Sequence, residues 1–150
     1  MSSLEKQEKN EYEQKTILYM IKNNCNHIFQ KAELVYLFGS FAKSTYTRFS
    51  DMDLAFLFAS QFDKHKLFEI RLNLIGALQK IIKKEVDIVI LNLAPPLLKF
   101  EAINGILLHE KSRSIRIDFE VKTIHEYLDT KYIRIINSQY LFQRISEFNV

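Results

Sequence analysis

Glycine, proline and cysteine are scarce in this chain: three, two and one among 150 residues. So few glycines and prolines leave little room for linkers, and no repeat or low-complexity segment is visible. One domain spanning residues 1–150 is therefore expected, with enough apolar material, at 47% of residues, for a core. A single cysteine, Cys25, excludes an internal disulfide and fits a reducing cytosol. No apolar run approaches the roughly 18 residues of a membrane span. The charged start, Leu4-Glu5-Lys6-Gln7-Glu8-Lys9, is unlike a signal peptide. The expectation is a soluble cytoplasmic protein without a membrane partner. Charge of one sign is also lacking. Twenty-one basic against eighteen acidic residues leave a net +3, too weak an excess to argue for direct nucleic-acid binding. The four histidines, His27, His65, His109 and His125, show no metal-ligand spacing, and no Ser-His-Asp or Cys-His arrangement can be argued.

What is present is a spacing. Gly39-Ser40 is followed after ten residues by Asp51-Met52-Asp53, which opens the apolar run Leu54-Ala55-Phe56-Leu57-Phe58. Residues two apart on a strand share a face, about 6.5 Å from each other. Two carboxylates so placed repel unless a cation lies between them, and a hard, oxygen-ligated ion such as Mg2+ suits them. The Gly-Ser turn can offer backbone N–H groups and a hydroxyl to phosphate oxygens. Carboxylates that bind metal beside a turn that binds phosphate point to phosphoryl or nucleotidyl transfer. A third carboxylate, Asp87, is the only charge inside the β-branched stretch Val86–Leu91. Buried and unpaired it would be costly, so it needs a partner or a metal. If its strand lies beside the first, Asp51, Asp53 and Asp87 complete a two-metal site for an in-line displacement. Lys43 and Arg48, between Ser40 and Asp51, are candidate triphosphate contacts or solvated loop cations.

The pattern resembles the polymerase-β-type nucleotidyltransferases. Within them, the chain length and the segment Ala94-Pro95-Pro96-Leu97-Leu98-Lys99-Phe100-Glu101, followed by Gly105-Ile106-Leu107-Leu108-His109-Glu110, resemble the minimal nucleotidyltransferase (MNT) antitoxins encoded beside HEPN ribonuclease toxins. Relatives often read Gly-Ser-x-Ala-Arg-Gly where this chain has Gly39-Ser40-Phe41-Ala42-Lys43-Ser44, which keeps a cation and loses a glycine. The resemblance implies two Mg2+ ions on Asp51, Asp53 and Asp87, and ATP phosphates on Gly39 and Ser40. It also implies a tyrosine of a cognate HEPN toxin as acceptor of AMP. A binding-only antitoxin and a small-molecule transferase, of the kind that modifies aminoglycosides, are the alternatives.

The implied fold is α/β, a small mixed sheet flanked by helices. Ile17, Met20, Ile21 and Ile28 mark a helix over residues 11–30, with the residues before about 10 frayed. Residues 33–38 read as a strand, Phe41–Thr47 as a short helix aimed at the phosphates, and Ser50 as a cap or buttress of the Asp51 strand. Leu67, Ile70, Leu74, Leu78 and Ile81 mark a helix joining the two carboxylate strands. Pro96 starts a helix that Gly105 ends, and Ile106–His109 adds an edge strand. Residues 114–147 read as helix, interrupted near Thr130, with Ile117, Val121, Ile124 and Leu128 buried. The aromatics Tyr127, Tyr132, Tyr140, Phe142 and Phe148 are read as core, or alternatively as a partner surface. Lys80, Lys83 and Lys84 form a basic helix end.

Overall fold

A computed structural model describes residues 2–47 and 49–148. Its order is α1 (Ser3–Phe29), β1 (Leu34–Phe38), α2 (Gly39–Ala42), β2 (Met52–Leu57), α3 (Lys64–Ile82), β3 (Val86–Ile90), α4 (Pro96–Ile103), β4 (Ile106–Glu110) and α5 (Arg113–Phe148). The four strands form one mixed sheet in the order β3-β2-β1-β4. β1 runs antiparallel to both β2 and β4. β2 and β3 are parallel, as a crossover through α3 requires.

The sheet is covered on both faces, which is why β1 reads as an uninterrupted apolar run rather than an alternating one. Val35 and Leu37 of β1, with Met52, Leu54, Phe56, Ile88 and Ile90, pack under α1 and α3 in one cluster. Leu34, Tyr36 and Phe38 face the other way, with Ala55 and the Ala102 side of α4. Asp53 and Asp87 stand on this second face, because they alternate with Met52, Leu54, Val86 and Ile88.

Four local expectations are corrected. α1 does not fray before residue 10: Ser2 caps it, its Oγ accepting from the Glu5 N–H while the Glu5 carboxylate accepts from the Ser2 N–H. The short helix is Gly39–Ala42, not Phe41–Thr47. The Gln14 side chain takes the Phe41 and Ala42 carbonyls at 2.5 and 3.2 Å, removing acceptors that a longer helix would need, and Ser44 turns to a φ of +55°. α5 passes Thr130 unbroken, since the Thr130 hydroxyl donates to the Glu126 carbonyl of its own helix, 2.9 Å away. Finally, Ile117, Val121, Ile124 and Leu128 are 41–55% exposed, and Thr123 is the buried residue of α5.

That last correction has a geometric cause: the face of α5 turned to the fold carries Ile115, Phe119, Thr123 and Tyr127, so the stripe from Ile117 to Leu128 points away from it. Helix α5 has 36 residues, about 54 Å at 1.5 Å per residue, longer than the sheet and α4 can cover. Its first half is anchored. Tyr36 donates to the Glu120 carboxylate at 2.9 Å, Lys99 pairs with Glu126 at 3.1 Å, and Tyr127 stacks on Phe100. Beyond that point Tyr132, Tyr140, Phe142 and Phe148 are exposed, so of this group only Tyr127 finds an aromatic partner within the fold. Among the described residues, no helix is long and apolar enough to cross a membrane.

Candidate active site

Gly39 follows β1 directly, at a φ of +70°. Phe38 is register partner to Asp53 on β2, and Asp53 is register partner to Asp87 on β3. Neighbouring strands lie about 4.8 Å apart, so the two carboxylates rise side by side. A Cβ added at Gly39 would meet Asp53 Oδ2 at 2.2 Å. Any larger residue here is strained by its backbone angle and must displace the carboxylate lying against it.

Burial raises the pKa of the Asp53 carboxyl above its ordinary value, and the negative charges of Asp87 and Asp51 push it the same way. A group so placed gains from any cation that enters. Asp87 differs from expectation in not being buried, and the partner that it needs is Arg71. Its side chain is 54% exposed, and its Oδ1 sits 3.3 Å from the Arg71 guanidinium. Arg71 in turn donates from Nε to the Ile88 carbonyl at 2.6 Å, fixing the guanidinium over β3. At Asp87 this otherwise covered face opens into a cleft, which is how one charge is tolerated within an apolar strand.

That cleft, about 610 Å³, brings Gly39, Lys43, Asp53 and Asp87 together, with Leu98, Phe100, Glu101 and Asn104 of the α4 segment opposite. The volume falls within the roughly 300–1,000 Å³ of small-molecule sites. Ser40 is half-buried on the turn, beside the lining residues but not among them, and its carbonyl accepts from the Thr45 N–H. Asp51 is exposed just before β2 and lines a neighbouring cavity with Phe49, Lys83 and Lys84. Arg48 lies outside the described residues. Ser50 Oγ accepts from the Thr47 N–H at 2.9 Å, so it buttresses the loop before the strand. Ser44 takes a left-handed φ; its hydroxyl bonds Gln14 and its carbonyl accepts from Asn10, so α1 holds the strained turn in place.

Among the described residues no three Asp, Glu, His or Cys side chains gather around one point. The donor set nevertheless fits a hard divalent cation: adjacent carboxylate oxygens, one of them partly desolvated, with charges that repel in the cation's absence. Sequence reasoning missed Arg71 and the α4 wall. Arg71 sits within a helical periodicity and carries no local signal. The Pro95-Pro96 segment drew attention to α4 without showing that it faces the carboxylates.

The sequence profile of the family described as polymerase beta, nucleotidyltransferase, matches residues 21–114, from the last third of α1 to the start of α5. The chain belongs to this family. No curated protein matches the sequence of this nucleotidyltransferase-family chain significantly. Solved structures do. A mutant of the toxin–antitoxin MntA-HpeT is 26% identical, with a TM-score of 0.66 over 86% of this chain and 98% of its own. A toxin–antitoxin structure with AMP-PNP is 28% identical, with a TM-score of 0.61 over the same shares. A tri-AMPylated Shewanella oneidensis HEPN toxin in complex with MNT antitoxin gives 25% identity and a TM-score of 0.60, again over 86% and 98%.

Proposed function

We propose that this chain transfers AMP from ATP to a tyrosine hydroxyl of a HEPN toxin and thereby neutralises it. The observation that carries the reading is the register pair Asp53–Asp87, set against Gly39 at the wall of a nucleotide-sized cleft. Its relatives in solved structures bear an ATP analogue in one case and an AMPylated HEPN toxin in another.

In this reading the Gly39-Ser40 turn and Lys43 hold the β- and γ-phosphates, with Arg48 as a further cation, and the α-phosphate faces Asp53 and Asp87. Asp51, Asp53 and Asp87 would hold two Mg2+ ions, which when bound neutralise the carboxylates and the developing charge on phosphorus. In the same reading Asp87, accessible at the cleft wall, takes the proton of the attacking tyrosine hydroxyl. Arg71 orients it. The hydroxyl oxygen then bonds the α-phosphorus as the bond to the β-phosphate breaks, and pyrophosphate leaves.

An unpartnered face of α5 supports a protein acceptor. Ile117, Val121, Ile124, Leu128, Ile135, Phe142 and Ile145 follow a seven-residue repeat along one stripe, and all are 41–76% exposed. Such a seam suits a helical partner. A binding-only antitoxin would use the same seam, and chemistry separates the two. Mass spectrometry of the toxin, mixed with this chain, ATP and Mg2+, should show AMP additions that EDTA abolishes. A toxin neutralised in the complex yet unmodified refutes transfer and leaves binding.

A further inference from the structure

The outer side of β3 is an open sheet edge, since among the described residues β2 is its one neighbouring strand. The Met52 N–H donates to the Glu85 carbonyl and the Leu91 N–H to the Phe56 carbonyl, so the main chain of Glu85, Asp87, Val89 and Leu91 turns to β2. That of Ile88 and Ile90 therefore points outward. A cavity of about 270 Å³ runs along this edge. Ile88, Val89 and Ile90 all line it, although Val89 packs on the opposite face of the sheet from the other two, as a cavity at the strand edge allows. Phe68 of α3 and Leu93 and Leu98 of the α4 segment wall it. Phe68 is 57% exposed and Leu93 48%, so these apolar walls are left uncovered. Arg71 is the one charged residue among those lining it. Its Nε donates to the outward Ile88 carbonyl at 2.6 Å, where the N–H of a further strand would stand, and its guanidinium also holds Asp87.

Val89 and Leu98 line the reaction cleft as well, so groove and cleft are continuous. They meet on the β3 side, whereas the Gly39 turn follows β1, two strands away. With phosphates on that turn, an in-line nucleophile enters from the β3 side, opposite the departing pyrophosphate. We propose that the β3 edge takes the acceptor segment of the partner protein as an added strand, which presents its tyrosine hydroxyl to Asp87. The inference rests on the AMP-transfer reading. Main-chain bonds to Ile88 and Ile90 hold the segment, and the apolar walls select its side chains. The Ile88 carbonyl has two lone pairs, so an incoming N–H joins Arg71 there without displacing it. Asp87 and Val89 are two residues apart on one face of the strand, so the segment carries an apolar residue two positions from the accepting tyrosine. A nucleotide suits this groove poorly, because its phosphates would meet a single cation.

The test uses the full chain and the purified HEPN toxin. Hydrogen exchange at the Ile88 and Ile90 amides should slow about tenfold in the complex, the scale of one added hydrogen bond. Phe68→Glu and Leu93→Glu, both at exposed positions, should each lower kcat/KM for the toxin about tenfold, the scale of one apolar side chain left unburied. Their melts, their affinity for AMP-PNP and their co-elution with the toxin should stay at wild-type values. Wild-type kcat/KM in both variants overturns the inference and leaves the transfer reading standing. So does weakened AMP-PNP binding, which would make the groove part of the nucleotide site. Self-association of the free chain that both variants abolish also overturns it, because the edge would then belong to a second copy. Slowed exchange at Ile88 and Ile90 that Phe68→Glu removes, in a chain that transfers no AMP, would instead refute the transfer reading and keep the added strand.

Discussion

Gly39→Ala tests the site most directly, because two independent penalties meet at one atom. At φ +70° an L-residue costs about 1–2 kcal/mol, which for a chain of this size lowers Tm by roughly 2–8 °C. The new Cβ would also stand 2.2 Å from Asp53 Oδ2. To reach ordinary contact near 3.5 Å, the carboxylate must retreat by more than about 1 Å. Its retreat is open, because the atom in the way is the end of a side chain at a cleft wall; the fold survives and the geometry does not. Displacement of that size in a reacting constellation costs about 100-fold in rate, or roughly 2.7 kcal/mol of barrier. Gly105→Ala is the control with the opposite outcome. There the Cβ would meet the Leu37 carbonyl oxygen at 2.2 Å and Leu37 carbon at 3.0 Å, both backbone atoms of β1, and backbone cannot step aside. Circular dichroism melts and AMP transfer measured on both variants should separate them: Gly39→Ala folded and inactive, Gly105→Ala unfolded or strongly destabilised. A folded Gly39→Ala variant that transfers AMP at the wild-type rate would refute the claim that Asp53 must lie against this turn.

Three further outcomes follow from the same geometry. Asp53→Asn should abolish transfer yet raise thermal stability in EDTA at neutral pH. The folded-state pKa of Asp53 is raised, so the protonated form contributes stability at acid pH that is lost as pH rises through that value; a melt no more stable than wild type in EDTA contradicts this. Arg71→Met should cost about 1–3 kcal/mol, mostly for the lost bond to the Ile88 carbonyl since the pair with Asp87 is well exposed, while slowing turnover more than it weakens ATP binding. An unchanged rate at saturating ATP would show that Asp87 needs no orienting partner. Phe142→Glu, at a position 76% exposed, should leave the melt of the isolated chain unaltered and abolish the toxin complex in size-exclusion chromatography, whereas a retained complex would place the interface elsewhere than on α5.

Residue pattern alone determined the strands and most of the helices. The run Leu34–Phe38 is apolar on both faces, and the stripe Leu67, Leu74, Leu78 repeats at helical spacing, so local periodicity reports burial directly. It also determined which carboxylates are candidates, because a charge inside an apolar strand is conspicuous whatever surrounds it. Three matters were decided only by the tertiary structure. The pairing of Asp53 with Asp87 depends on which strands are neighbours, and Arg71 reaches Asp87 only because α3 crosses back over β3. The end of α2 depends on Gln14, 27 residues earlier in the chain, competing for the Phe41 carbonyl. And the apolar stripe of α5 has the same periodicity as a buried one. Whether such a stripe faces a core or solvent depends on which face of the helix meets the sheet and α4, and in α5 that is the face of Ile115, Phe119 and Thr123.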